Sequence, residues 1–188
     1  MHLFNERRVR MGEEKKEPWL NYLALTTVIL AVCATLSTFK GGGYSTRSVM
    51  SQTQASDQWS YYQAKSIKGY LYEMQRDKLE LELKAGAGRL TAAATESYVA
   101  KIDDYAQKIR KYEAEKSDIL RTAKNYETIR NDAQKHSQIF GIAVIYLQIA
   151  ILLSSIAALI KKKPLWLLGI AVGSVGIIYF ANGFFLFF

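Results

Sequence analysis

The chain has little of what most reaction centres are built from. Its 188 residues include one cysteine, Cys33, and two histidines, His2 and His136. One cysteine excludes an intramolecular disulfide, and with two histidines it leaves no zinc-ligand spacing. Proline is almost absent: there are two, and none falls between Ser45 and Ala85 or between Thr91 and Gln138. Neither stretch therefore holds a residue that interrupts a helix by lacking its N–H. A third lack is local. Residues 19–39, 139–160 and 165–188 contain no Asp, Glu, Lys, Arg or His.

Those three runs are 21, 22 and 24 residues long. A helix needs about 20 apolar residues to cross the hydrocarbon core, and within lipid only a helix satisfies the backbone of one short segment by itself. The expected fold is an all-α integral membrane protein with three transmembrane helices and a long extramembrane helical hairpin. Its parts are a short cytoplasmic tail (1–18), a first span (19–39), the hairpin (40–138, with its turn at 86–90), a second span (139–160), a basic turn (161–164) and a third span (165–188). Cys33 lies mid-span and is expected to pack as a small apolar residue. The "LAVC" at 30–33 has the outline of a lipoprotein cleavage box. Val32 stands where that box needs a small residue, and the apolar run continues to Phe39, so the first span is expected to stay as an anchor.

The net charge of +8 is not spread evenly. Residues 1–17 carry five basic and four acidic side chains, "KKK" at 161–163 adds three basic ones, and residues 40–138 carry 17 basic and 13 acidic. Three spans put the tail and the lysine turn on one side, with eight basic residues in two short segments. Only Lys40, Arg47, Lys124, Arg130 and Lys135 flank the spans on the other side. Basic residues near span ends favour the cytoplasm. The expected location is the bacterial plasma (inner) membrane, with the amino terminus cytoplasmic and residues 40–138 periplasmic or extracellular. Trp19, Tyr22 and Trp166 suit the cytoplasmic interface.

Between the first two spans, two long helices joined by the glycine-bearing turn are expected. Steps of four and three residues from Tyr98 pass through Ile102, Tyr105, Ile109, Tyr112, Lys116, Ile119, Ala123, Tyr126, Arg130, Ala133 and Ser137, nine of the twelve apolar or aromatic, a coiled-coil seam rich in tyrosine. With no breaker before Ile139, this arm is expected to continue as one helix through the second span. The first arm has two phases. Ile67, Leu71, Met74, Lys78, Leu81 and Ala85 form a distal stripe, expected to cover the second arm. Ala55, Trp59, Tyr62, Ser66 and Gly69 form a proximal one. Trp59, Tyr62 and Tyr126 are then expected to lack a partner within one chain. Gly41, Gly42 and Gly43 follow the first span directly and are expected to act as a linker or hinge.

The stretch "QASDQWSYYQAK" at 54–65 offers one carboxylate, amides and aromatic hydroxyls, and no second carboxylate or histidine shares its face. Tryptophan and tyrosine in this density suit an interface. Interface candidates are Trp59, Tyr61, Tyr62, Ile102, Ile109, Tyr112, Ile119 and Tyr126. "GGG" and "GAG" follow no strand and precede no Lys-Ser/Thr, so neither is a phosphate loop. No nucleic-acid binding is expected, for want of a sustained basic stripe. In the last span Gly169, Gly173 and Gly176 are spaced for close helix packing. Asn182 there, and Gln148 in the second span, are expected to face protein rather than lipid.

The 54–65 motif, together with "YLQIAILLSSIAALIKKKPLW" at 146–166, resembles a family of small bacterial membrane proteins known only as a domain of unknown function. The likeness covers residues 19–188. It implies the three-span layout and brings no activity, substrate or catalytic residue with it. The function expected is a non-enzymatic oligomeric membrane scaffold or interaction protein of the cell envelope, needing no cofactor and bound to the lipid bilayer. A homo-oligomer is expected, with other protein partners unknown. The alternative is a small oligomeric channel or gating protein with a helical periplasmic collar.

Overall fold

The computed structural model describes residues 18–187, and they form three α-helices: α1 Pro18–Ala85, α2 Ala92–Ile160 and α3 Lys163–Phe185. The expected tail, with His2, lies outside the described residues except for Pro18. Both prolines fall in the first turn of a helix, α1 at Pro18 and α3 at Pro164, where a missing N–H costs nothing. Thr91 accepts the Ala94 N–H on its hydroxyl at 3.3 Å and so caps α2. Gly88 takes the left-handed conformation (φ +82°) in the turn between α1 and α2, where a Cβ would be strained. Lys161 and Leu186, both at φ 52°, end α2 and α3 in the same conformation.

All three helices are long and apolar enough to cross a membrane. α2 runs without a break through the second apolar run, as the pattern before Ile139 indicated. The glycine linker is a correction. α1 passes through Gly41, Gly42 and Gly43 as helix. Gly41 is buried, its carbonyl accepts the Ser137 hydroxyl at 3.1 Å, and a Cβ there would stand 3.0 Å from that of Phe140. This glycine lets two helices approach; it does not break one. The basic turn is shorter than expected, because α3 already begins at Lys163.

The described chain divides into two compact units. One comprises the described residues up to Thr46 together with those from Ala133 onward. Its interior is layered along three helices. Trp19, Leu23 and Ala157 form one cluster, with Leu20, Leu165 and Trp166 against it. Leu30, Ala34, Leu147 and Ala150 form the next. Phe140 is fully buried, with Phe180 and Phe184 against it at 6.3 and 5.0 Å between ring centroids.

The other unit, Arg47–Asp132, is an antiparallel pair made from the later part of α1 and the earlier part of α2. Gln52 meets Arg130, Trp59 meets Glu127, Lys65 meets Glu115, Tyr72 meets Tyr112 and Glu82 meets Tyr98. The residue numbers of each pair sum to nearly the same value, as in an antiparallel register.

Candidate functional site

Within the antiparallel pair, the tyrosine-rich row of α2 is the one turned inward. Ile109, Ile119 and Ala123 are buried, and Ile102, Tyr105, Tyr112, Lys116 and Tyr126 are half-buried. On α1 the inward row is not the expected one. Ala55 and Gly69 are buried and Trp59, Tyr62 and Tyr72 half-buried, while Ile67, Leu71, Met74 and Leu81 are exposed. The proximal phase thus continues down the arm, and the aliphatic stripe lies outside. The reason is complementarity with α2, which offers large tyrosines. These need small or planar partners, and Gly69 supplies one, at 4.0 Å from Tyr112 Cβ for an added methyl.

Trp59 and Tyr62 therefore have partners within the chain, which corrects the expected shortfall. The Trp59 indole N–H donates to Glu127 Oε1 at 2.9 Å, and its ring meets Tyr62 edge-on at 5.7 Å. Tyr61 points outward and is exposed, although the Lys65 ammonium stands 5.2 Å from its ring. Lysines interleave with the tyrosines. Lys65 also lies 5.2 Å from the Tyr112 ring, Lys108 5.3 Å from Tyr72 and Lys116 5.6 Å from Tyr62. Each is a cation over an aromatic face, held in place by a carboxylate. A side-chain hydrogen bond to Glu115 raises the Lys65 pKa, and the same bond lowers that of Glu115. Asp104 likewise raises Lys108 and is itself lowered by it. These contacts clamp two helices together. Among the described residues no group of three or more His, Cys, Asp or Glu is arranged to hold a metal ion.

In the first unit, the glycines of α3 mark a close approach of helices. A methyl on Gly169 would lie 3.1 Å from Ser154 Oγ, on Gly173 2.9 Å from Leu30, and on Gly176 2.8 Å from Leu147. All three are buried against α2 or α1 of the same chain. Asn182 is fully buried and its side-chain oxygen accepts the Phe187 N–H, tying off the end of α3. Gln148 is another correction: it is exposed, on the outer face of α2. A cluster the sequence did not single out joins Tyr44, His136, Phe140 and Gly183. The His136 ring stacks on Tyr44 at 4.4 Å, and its Nδ1 lies 2.7 Å from the Gly183 carbonyl, which requires the proton on Nδ1. Gly183 sits against the Phe140 ring, 2.7 Å from an added Cβ. The one available signal was spacing, since Gly169, Gly176 and Gly183 recur at seven-residue intervals.

Between α1 and α3 lies a shallow apolar groove of about 210 Å³, lined by Thr26, Ile29, Leu30, Ile170, Gly173 and Ile177 among others. Trp166 donates its indole N–H to Thr26 Oγ1 at 3.2 Å and stands 6.0 Å from Trp19, so two of the expected interfacial aromatics meet.

These features define an all-α protein with three span-length helices, which suggests a membrane location. Residues 19–186 match the family described as Domain of unknown function (DUF4337), and the chain belongs to that family. No curated protein and no solved structure matches it.

Proposed function

We propose that this chain is a non-enzymatic, oligomeric scaffold or interaction protein of the bacterial cell envelope. In this reading its three apolar segments cross the plasma membrane and Arg47–Asp132 is an extramembrane, coiled-coil-like hairpin. The supporting observation is the outward stripe on α1. Ile67, Leu71, Met74 and Leu81 are 60, 50, 67 and 66 % exposed, although they lie on a helix otherwise rich in charge. They follow the four-three spacing of a coiled-coil seam, so the surface they suit is another helix with the same spacing. The stripe is interrupted only at Lys78, and an apolar patch facing water marks an interaction surface. The partner proposed is a second copy, which the bilayer holds at high local concentration, in closed cyclic symmetry.

The test replaces Leu71 and Met74 together with Asp and measures complex mass in mild detergent over a range of protein concentrations. Loss of subunits from the variant is the expected result. A wild-type protein that is monomeric throughout the range rejects the oligomer.

A further inference from the structure

Two residues on the outer face of α2 have no explanation within the chain. The first is Gln148. It is exposed in the middle of the second apolar run, and among the described residues its amide finds no hydrogen-bond partner. The other polar side chains nearby differ from it. Thr35, Ser155 and Ser174 are also exposed, but each hydroxyl donates to the backbone carbonyl four residues earlier. A glutamine cannot satisfy both its N–H₂ and its C=O in that way. The second is Gly141. An added methyl there would meet no atom within 4 Å, whereas Gly169, Gly173, Gly176 and Gly183 would all clash or crowd within the chain. A helical glycine facing open space weakens its helix and gains nothing from its own chain.

The two residues lie on one line. Steps of four and three join Gly141, Ile145, Gln148, Leu152 and Ser155, all exposed. This line runs opposite the buried row of Phe140, Ala143, Leu147, Ala150 and Ser154. It is a second coiled-coil seam, with a small residue for close approach and a polar one inside it.

We propose that this face of α2 is a homotypic seam within the bilayer, occupied by the same face of a second copy of this chain. The proposal rests on residues 139–160 crossing the membrane, and it names the face through which the proposed oligomer forms there. Self-complementarity favours a copy over a different partner. Copies inserted in one orientation place Gln148 at one depth, where the N–H₂ of one amide donates to the C=O of the next. An amide in hydrocarbon has a strong need for such a partner. Gly141 lets the helices meet closely one heptad away, and Ile145 and Leu152 fill the layers on either side of the amide.

The test uses full-length protein in its own membranes, carrying Cys33→Ala and one new cysteine at a time. Ile145→Cys and Leu152→Cys, which leave the amide in place, should give disulfide-linked dimer on mild oxidation, several-fold more than Ile142→Cys and Ile149→Cys. The two controls are also exposed but lie off the seam, so access to oxidant does not decide the result. Equal cross-linking at all four positions, or more at the controls, overturns the proposal. In a second arm, Gln148→Leu should weaken association in mild detergent about tenfold, and Gln148→Asn should weaken it less. Leucine suits lipid better than glutamine, so a loss cannot be ascribed to failed insertion. If the oligomer persists with Gln148→Leu unaffected, this seam is wrong while the oligomer stands. A monomeric wild type defeats both.

Discussion

Single residues decide how closely these helices come together. Gly176 and Gly183 lie where Leu147 and Phe140 fill the space that a side chain would need. Gly183→Leu should therefore destabilise the first unit by about 1–3 kcal/mol, the usual range for forced overpacking. Thermal melting in detergent measures this, and an unchanged midpoint would show that Phe140 can move aside. The lysine–carboxylate contacts act differently. Glu115 is held below its ordinary pKa by Lys65, so its contribution to stability is present above the carboxylate range and is lost as pH falls through the lowered value. Lys65 is held above its ordinary value by Glu115, so its contribution is present below the ordinary lysine range and is lost as pH rises through the raised one. Glu115→Gln should lower the melting temperature at neutral pH and make no difference in strong acid, where the native carboxylate is protonated too. A melting curve measured as a function of pH checks it. The effect should be small, because the pair lies near the surface.

At the scale of elements, what matters is which row of α1 faces α2. Ile119 lies in the contact and Leu71 lies outside it. Ile119→Ala should cost about 2–4 kcal/mol at any protein concentration. Leu71→Ala should change the stability of the isolated pair by no more than about 0.5 kcal/mol and should act only where copies associate. Equal losses at both positions would reverse the assignment of faces. Trp59 offers a finer probe of the same contact. Trp59→Phe keeps a ring against Tyr62 but leaves Glu127 without its indole donor, a loss of about 1 kcal/mol. Trp59→Ala removes both and should cost more, measured by the same melting experiment.

For the whole molecule, topology is the property on which the proposed function depends. Eight basic residues in the two short segments argue for a cytoplasmic amino terminus, which would leave Ser97 outside the cell membrane. Ser97 is exposed. With Ser97→Cys in a Cys33→Ala background, a membrane-impermeant thiol reagent should label intact cells whose outer layers have been made permeable. Labelling only after the inner membrane is broken would invert the topology and move the proposed hairpin to the cytoplasm.

The three apolar runs, a turn at 86–90 within the observed break between Ala85 and Ala92, the continuity of α2 past Ile139 and the tyrosine seam of that helix were all legible in the order of residues. The physical reason is that they depend on local properties: length, lack of charge, turn chemistry and the 3.6-residue period of one helix. The tertiary structure alone decided the pairing. The sequence offered two apolar rows on α1, and hydrophobicity favoured the aliphatic Ile67–Leu71–Met74 row. The contact formed through Ala55, Trp59, Tyr62 and Gly69, because tyrosines on α2 need small residues and planar rings opposite them. Gly41–Gly43 have the composition of a linker, yet all three are helical; α2 packs against the first of them, where the Gly41 carbonyl accepts the Ser137 hydroxyl, while Gly42 and Gly43 face open space. Gln148 was expected to point inward because it is polar, but the packing of Leu147 and Ala150 against α3 and α1 turned it outward. Such choices depend on which side chains stand opposite, and a single strand of sequence does not carry that information.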